Sequence, residues 1–95
     1  MIIQIDKNVT VVQSGDLVIV TRPCIMGGVA SHTIQSSYTA LEIASWLKSR
    51  IERQPNMLAQ EAFPAMKAED REFLMSGITP DHWNKMFHKD LERKA

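Results

Sequence analysis

Residues able to do chemistry are sparse. The single cysteine is Cys24, and the three histidines are His32, His82 and His88. A thiol needs a neighbouring base or cation to hold its reactive thiolate, so Cys24 with His32 is the pair to test first. Gly27-Gly28 marks a hairpin, and a register centred on it sets Cys24 opposite Ser31, next to His32. Adjacent strand residues point to opposite faces, which keeps Cys24 and His32 apart and leaves Cys24 as a structural thiol. His82 and His88 are six residues apart and do not share a helical face. No His-Glu-x-x-His motif or carboxylate cluster supplies metal ligands. One cysteine forms neither an internal disulfide nor a Cys-rich zinc site. Met26-Gly27-Gly28-Val29-Ala30 lacks the Gly-Lys-Ser/Thr ending of a phosphate-binding loop and leads into no helix. Asp6 and Asp16 fall in turns, which their residue type explains. No catalytic residue, cofactor site or metal site is expected, and the chain reads as a non-enzyme.

A non-enzyme of this kind acts through its surface. The basic C-terminal stretch Lys85, His88, Lys89, Arg93 and Lys94 is interrupted by Asp90 and Glu92. It reads first as a solvated face that complements a helix dipole. Methionine is frequent, with six in the chain. Met57 and Met75 stand off the expected core stripes, and exposed methionine suits adaptable contact surfaces. Met75, Trp83, Lys85, His88 and Lys89 are the candidate partner-contacting residues.

The totals bound what positions these residues. Ninety-five residues allow one domain, 1–95, and 11 Lys+Arg balance 11 Asp+Glu. The balance is local too: residues 1–55 carry five basic and four acidic groups, and 56–95 carry six and seven. A polyanion binder would show a basic excess. Apolar residues at 44% and charged residues at 23% suit a globular chain. No signal peptide and no membrane-spanning run is expected, and a free cysteine fits a reducing cytosol.

Residues 1–37 read as a β-meander and 38–95 as helical. The expected strands are Ile2–Asp6, Val9–Gln13, Leu17–Thr21 and Ala30–Ser36. The last folds back on residues 19–25, with Pro23 at an edge or interruption. Tight turns place Ile3, Ile5, Val12, Leu17 and Ile19 on one face and Ile2, Val9, Val11, Val18 and Val20 on the other. Two apolar faces need two covers, and Val9, Val11, Val18 and Val20 are the candidate dimer face.

Thr39 and Glu42 form a Thr-x-x-Glu capping box with Tyr38 and Ile43 as its staple. Ala40, Ile43, Ala44, Leu47 and Ile51 give the stripe of that helix, flanked by Trp46, and Pro55 bounds its end. A short helix is expected over Asn56–Phe63 and another over Ala68–Ser76, the latter closed by Gly77. Thr79 caps the last helix, with Pro80 first inside it and Ile78 and Trp83 as staple. Trp83, Met86, Phe87 and Leu91, with Phe73 and Leu74, are expected to close a small C-terminal core.

The last two helices have a helix-turn-helix outline about Gly77-Ile78-Thr79. Asn84 and Lys85 could face a base, but Glu69, Asp70 and Glu72 would repel the phosphate backbone, so DNA binding is disfavoured. The segment Glu69 to Phe87 carries Arg71-Glu72-Phe73-Leu74, then Gly77-Ile78-Thr79-Pro80, then Trp83 and Phe87. It resembles the C-terminal ends of small uncharacterised proteins encoded by phages, prophages and plasmids. The resemblance covers about a fifth of the chain. It implies a phage-type origin and carries no catalytic residue across.

The expected architecture is α+β: a four-stranded antiparallel meander, a capped helix and a C-terminal helical hairpin. The expected function is a non-enzymatic, cytoplasmic, dimeric protein–protein interaction module, a small phage-type accessory protein acting on a bacterial host factor. The alternative is a nucleic-acid-binding protein using the C-terminal hairpin.

Overall fold

A computed structural model describes residues 1–54 and 57–85. Four strands, β1 (Ile2–Asp6), β2 (Val9–Ser14), β3 (Leu17–Pro23) and β4 (Val29–Gln35), form one antiparallel sheet in the order β1-β2-β3-β4. Three helices follow: α1 (Ala40–Ile51), α2 (Ala59–Ala62) and α3 (Ala68–Ser76). A fourth, α4, starts at residue 80 and is described to residue 85. The α+β meander expected from the sequence is thus the observed architecture.

The register, however, reverses part of the predicted face assignment. A plain two-residue turn at Lys7-Asn8 would pair Ile3 with Val12. Instead Ile2 pairs with Val12 and Ile3 with Val11, because a β-bulge lies between Gln4 and Asp6. One extra residue in a strand flips every side chain beyond it. Both Ile3 and Ile5 thereby pack against the core. The Gln4 amide bonds the Asp6 carbonyl, and the Asp6 carboxylate accepts the Lys7 N–H at 2.8 Å, so side chains satisfy backbone groups around the bulge. The β3–β4 pairing also differs from expectation. Thr21 faces Ser31, Val20 faces His32, and Cys24 lies in the loop with its N–H on the Gly28 carbonyl at 2.9 Å.

The inner face carries the row Ile3–Val11–Val20–His32, with Val9, Val18 and Ile34 beside it. The chain's own helices cover it: α1 packs on β1 and β2, and α3 packs on β3. Val9, Val11, Val18 and Val20 are therefore core residues, 5%, 0%, 1% and 0% exposed, and not a dimer face. Phe73 and Leu74 of α3 join this same cluster with Ile43 and Leu47 of α1, so they do not close a separate C-terminal core. Met86, Phe87 and Leu91 of the expected stripe lie outside the described residues.

Helix α1 starts as its sequence dictates. The Thr39 hydroxyl accepts the Glu42 N–H, and the Glu42 carboxylate accepts the Thr39 N–H at 3.1 Å. The Gln13 side chain, on the inner face, accepts the Ala40 N–H at 2.9 Å and ties the helix start to the sheet. Trp46 is buried and Ile51 is 41% exposed, the reverse of their expected roles on the stripe. The reason is tertiary: the Trp46 indole donates to the Met57 carbonyl at 2.7 Å and meets Phe63 edge-on. Tyr38 also meets Phe63 edge-on and accepts the Ala65 N–H at 3.0 Å through its hydroxyl. These aromatic contacts seat the irregular segment around α2, shorter than expected, against α1.

Candidate functional site

Among the described residues, no helix packs on the outer face of the sheet. Its rows, read from the register, are Ile2–Val12–Ile19–Thr33, Gln4–Thr10–Thr21–Ser31, Ser14–Leu17–Gln35 and Pro23–Val29. None of these residues is charged, although the chain as a whole is 23% charged. Ile2, Leu17 and Val29 are exposed at 73%, 37% and 53%, and Val12 and Ile19 are half-buried in the middle. The Thr21 and Ser31 hydroxyls bond each other across the strands at 2.7 Å. An apolar centre ringed by hydroxyls and amides is a surface depleted of charge, the compositional mark of an interface centre. The sequence reading found the two-sidedness of the sheet but took the Val9, Val11, Val18 and Val20 face as the open one, which α1 and α3 cover.

Cys24 and His32, expected from strand alternation to stay apart, do not meet. Cys24 accepts the Met26 N–H at 3.4 Å within its loop, while His32 points to the inner face. His32 instead meets Asp70 of α3, Nε2 to Oδ1 at 2.6 Å, and its ring lies 5.2 Å from that of Phe73. A carboxylate only accepts, so the ring donates through Nε2–H. Asp70 is 5% exposed overall and sits in the first turn of α3, where the helix dipole favours an anion. This bond joins edge strand β4 to α3. Sequence reasoning assigned Asp70 to a solvated acidic patch and missed it, since residues 38 apart carry no local signal. Among the described residues no hydroxyl or thiol bonds this pair, which clasps β4 to α3.

The rest of the predicted contact set divides. Met75 is half-buried and packs against the core. Trp83, 39% exposed, and Lys85, exposed, lie on α4. His88 and Lys89 lie outside the described residues. Thr79 caps α4 as expected, accepting the His82 N–H at 3.2 Å. Between α3 and α4 lies an open groove of about 320 Å³ lined by Ala68, Glu69, Glu72, Ile78, Pro80, Trp83 and Asn84. Two carboxylates and no cation line it, which opposes docking of a phosphate backbone there.

A second cavity, about 200 Å³, opens at the far end of the sheet among Asp6, Val9, Arg22, Pro23, Leu47, Arg50 and Ile51. Arg22, on the inner face, donates Nη1 to the Leu74 carbonyl at 2.6 Å and Nε to its neighbour Pro23 at 2.9 Å. Burial, and then the like charge of Arg50, hold Arg22 below the usual arginine range, with a small opposing effect from Cys24. The Arg50 guanidinium lies 5.4 Å over the Trp46 ring.

Among the described residues, no group of three or more His, Cys, Asp or Glu side chains could hold a metal ion. Among them, too, no helix is long and apolar enough to cross a membrane. Comparison with protein-family models, with curated proteins and with solved structures finds no match to this chain.

Proposed function

We infer that the chain is a non-enzymatic interaction module that self-associates through the outer face of its sheet. The supporting observation is the absence of charge across that face in a chain whose other surfaces are charged. A neutral face needs no oppositely charged mate, so a second copy of the same face, related by a two-fold axis, fits it. Ile19 and Val12 would lie at its centre, and the threonine and serine hydroxyls at its rim. Strand spacing and rise make the face only about 20 by 20 Å, so the dimer is expected to be weak, in the micromolar range. The phage-type accessory role towards a bacterial host factor draws its support from the resemblance of residues 69–87.

Sedimentation of the whole chain at tens to hundreds of micromolar tests the reading. The expected result is a concentration-dependent mass approaching twice 10.8 kDa. Ile19→Lys puts a charge at the centre of the face while leaving the inner core alone. That variant should be monomeric with an unchanged circular dichroism spectrum. A strictly monomeric wild type, or a dimer that survives Ile19→Lys, overturns the assignment.

A further inference from the structure

Arg22 and Arg50 line one cavity, and among the described residues neither is in an ion pair; the pairs there are His32–Asp70 and Lys48–Glu52. Two neighbouring guanidinium groups repel each other, and an oxyanion placed between them relieves that repulsion. Arg22 is fixed in place by its bonds to the Leu74 and Pro23 carbonyls, which occupy Nη1 and Nε and leave Nη2 for a ligand. The Arg50 guanidinium stacks on Trp46 and gives no hydrogen bond to protein among the described residues, so its edge donors are available. Both groups are thus oriented before any ligand arrives, which lowers the ordering cost of binding.

The rest of the lining narrows the ligand. Val9, Pro23, Leu47 and Ile51 supply apolar wall beside the two cations. Asp6, also on the lining, and the carboxyl-terminal end of α1 both work against a multiply charged anion. A cavity of about 200 Å³ admits a small molecule only. We propose that this cavity binds a small aliphatic monocarboxylate, with its carboxylate between Arg22 and Arg50 and its hydrocarbon tail against Val9, Leu47 and Ile51. The site lies on the inner side of the sheet end and is independent of self-association through the outer face.

The probe is 3-methylbutanoate, titrated into the ¹⁵N-labelled full chain and followed by amide and arginine Nε resonances. Inorganic phosphate at matched ionic strength forms a second arm. Saturable shifts at Val9, Leu47, Ile51 and the two arginine side chains are expected with the carboxylate, and none that saturate with phosphate. Arg50→Gln should weaken carboxylate binding about tenfold or more, the loss of one charge-assisted hydrogen bond. Lys48→Gln, which removes a cation outside the lining, should leave it unchanged. No saturable shift with 3-methylbutanoate overturns the proposal. So does phosphate binding as tightly as the carboxylate, an unaltered affinity in Arg50→Gln, or an equal loss in Lys48→Gln.

Discussion

Replacing Gly77 by alanine should be among the most damaging single changes in the chain, and Gly15→Ala provides its control. Both glycines have positive φ, +58° at Gly15 and +78° at Gly77. Each alanine therefore meets the left-handed penalty of about 1–2 kcal/mol. A Cβ at Gly15 would meet nothing within 4 Å, so the penalty ends there. A Cβ at Gly77 would lie against the Pro23 carbonyl oxygen and 2.7 Å from the Cys24 Cα, both backbone atoms that no rotamer change moves aside. Relief requires the end of α3 to separate from the β3–β4 loop. Two bonds cross that junction: Ile25 N–H to the Ser76 carbonyl at 2.9 Å, and Arg22 Nη1 to the Leu74 carbonyl at 2.6 Å. A neutral hydrogen bond contributes about 0.5–1.5 kcal/mol and one to a charged group about 1.5–3. Gly77→Ala should accordingly cost about 2–4 kcal/mol more than Gly15→Ala, for a total near 3–6 kcal/mol. Urea unfolding of the two variants, monitored by tryptophan fluorescence, measures the difference. Equal losses of stability would refute the close docking of α3 on the loop, and with it the placement of Arg22.

Thr39→Ala removes the capping box and should lower stability by about 1 kcal/mol, with thermal unfolding as the measure. Asp70→Ala leaves the half-buried Nε2–H of His32 without its acceptor and should cost about 1–3 kcal/mol, whereas Asp70→Asn keeps an acceptor and should cost clearly less. Urea unfolding that ranks the two Asp70 variants equally would show that the clasp between β4 and α3 contributes nothing beyond packing.

Local rules wrote much of this fold into the sequence. The capping box at Thr39 and Glu42, the left-handed stop at Gly77 and the Thr79 cap are formed by residues within a turn of each other, and all three are present as expected. Strand positions were legible for the same reason, since period-two patterning and turn residues act over a few positions. The site was less so. That the sheet has two apolar faces was visible in its residues. Which face stays open was not, because the docking of α1 and α3 decides it, and a single bulged residue between Gln4 and Asp6 further exchanges Ile2 and Ile3 between the faces. No residue type there announces a bulge.

By itself, then, the sequence determined the element types and their caps, short-range properties of residue type and spacing. Tertiary structure alone decided the rest. It turned Val9, Val11, Val18 and Val20 into core beneath α1 and α3, paired His32 with Asp70 across 38 residues and brought Arg22 alongside Arg50. Those juxtapositions arise when the helices fold back on the sheet, and burial of distant apolar surface, which leaves no local signature, drives that step.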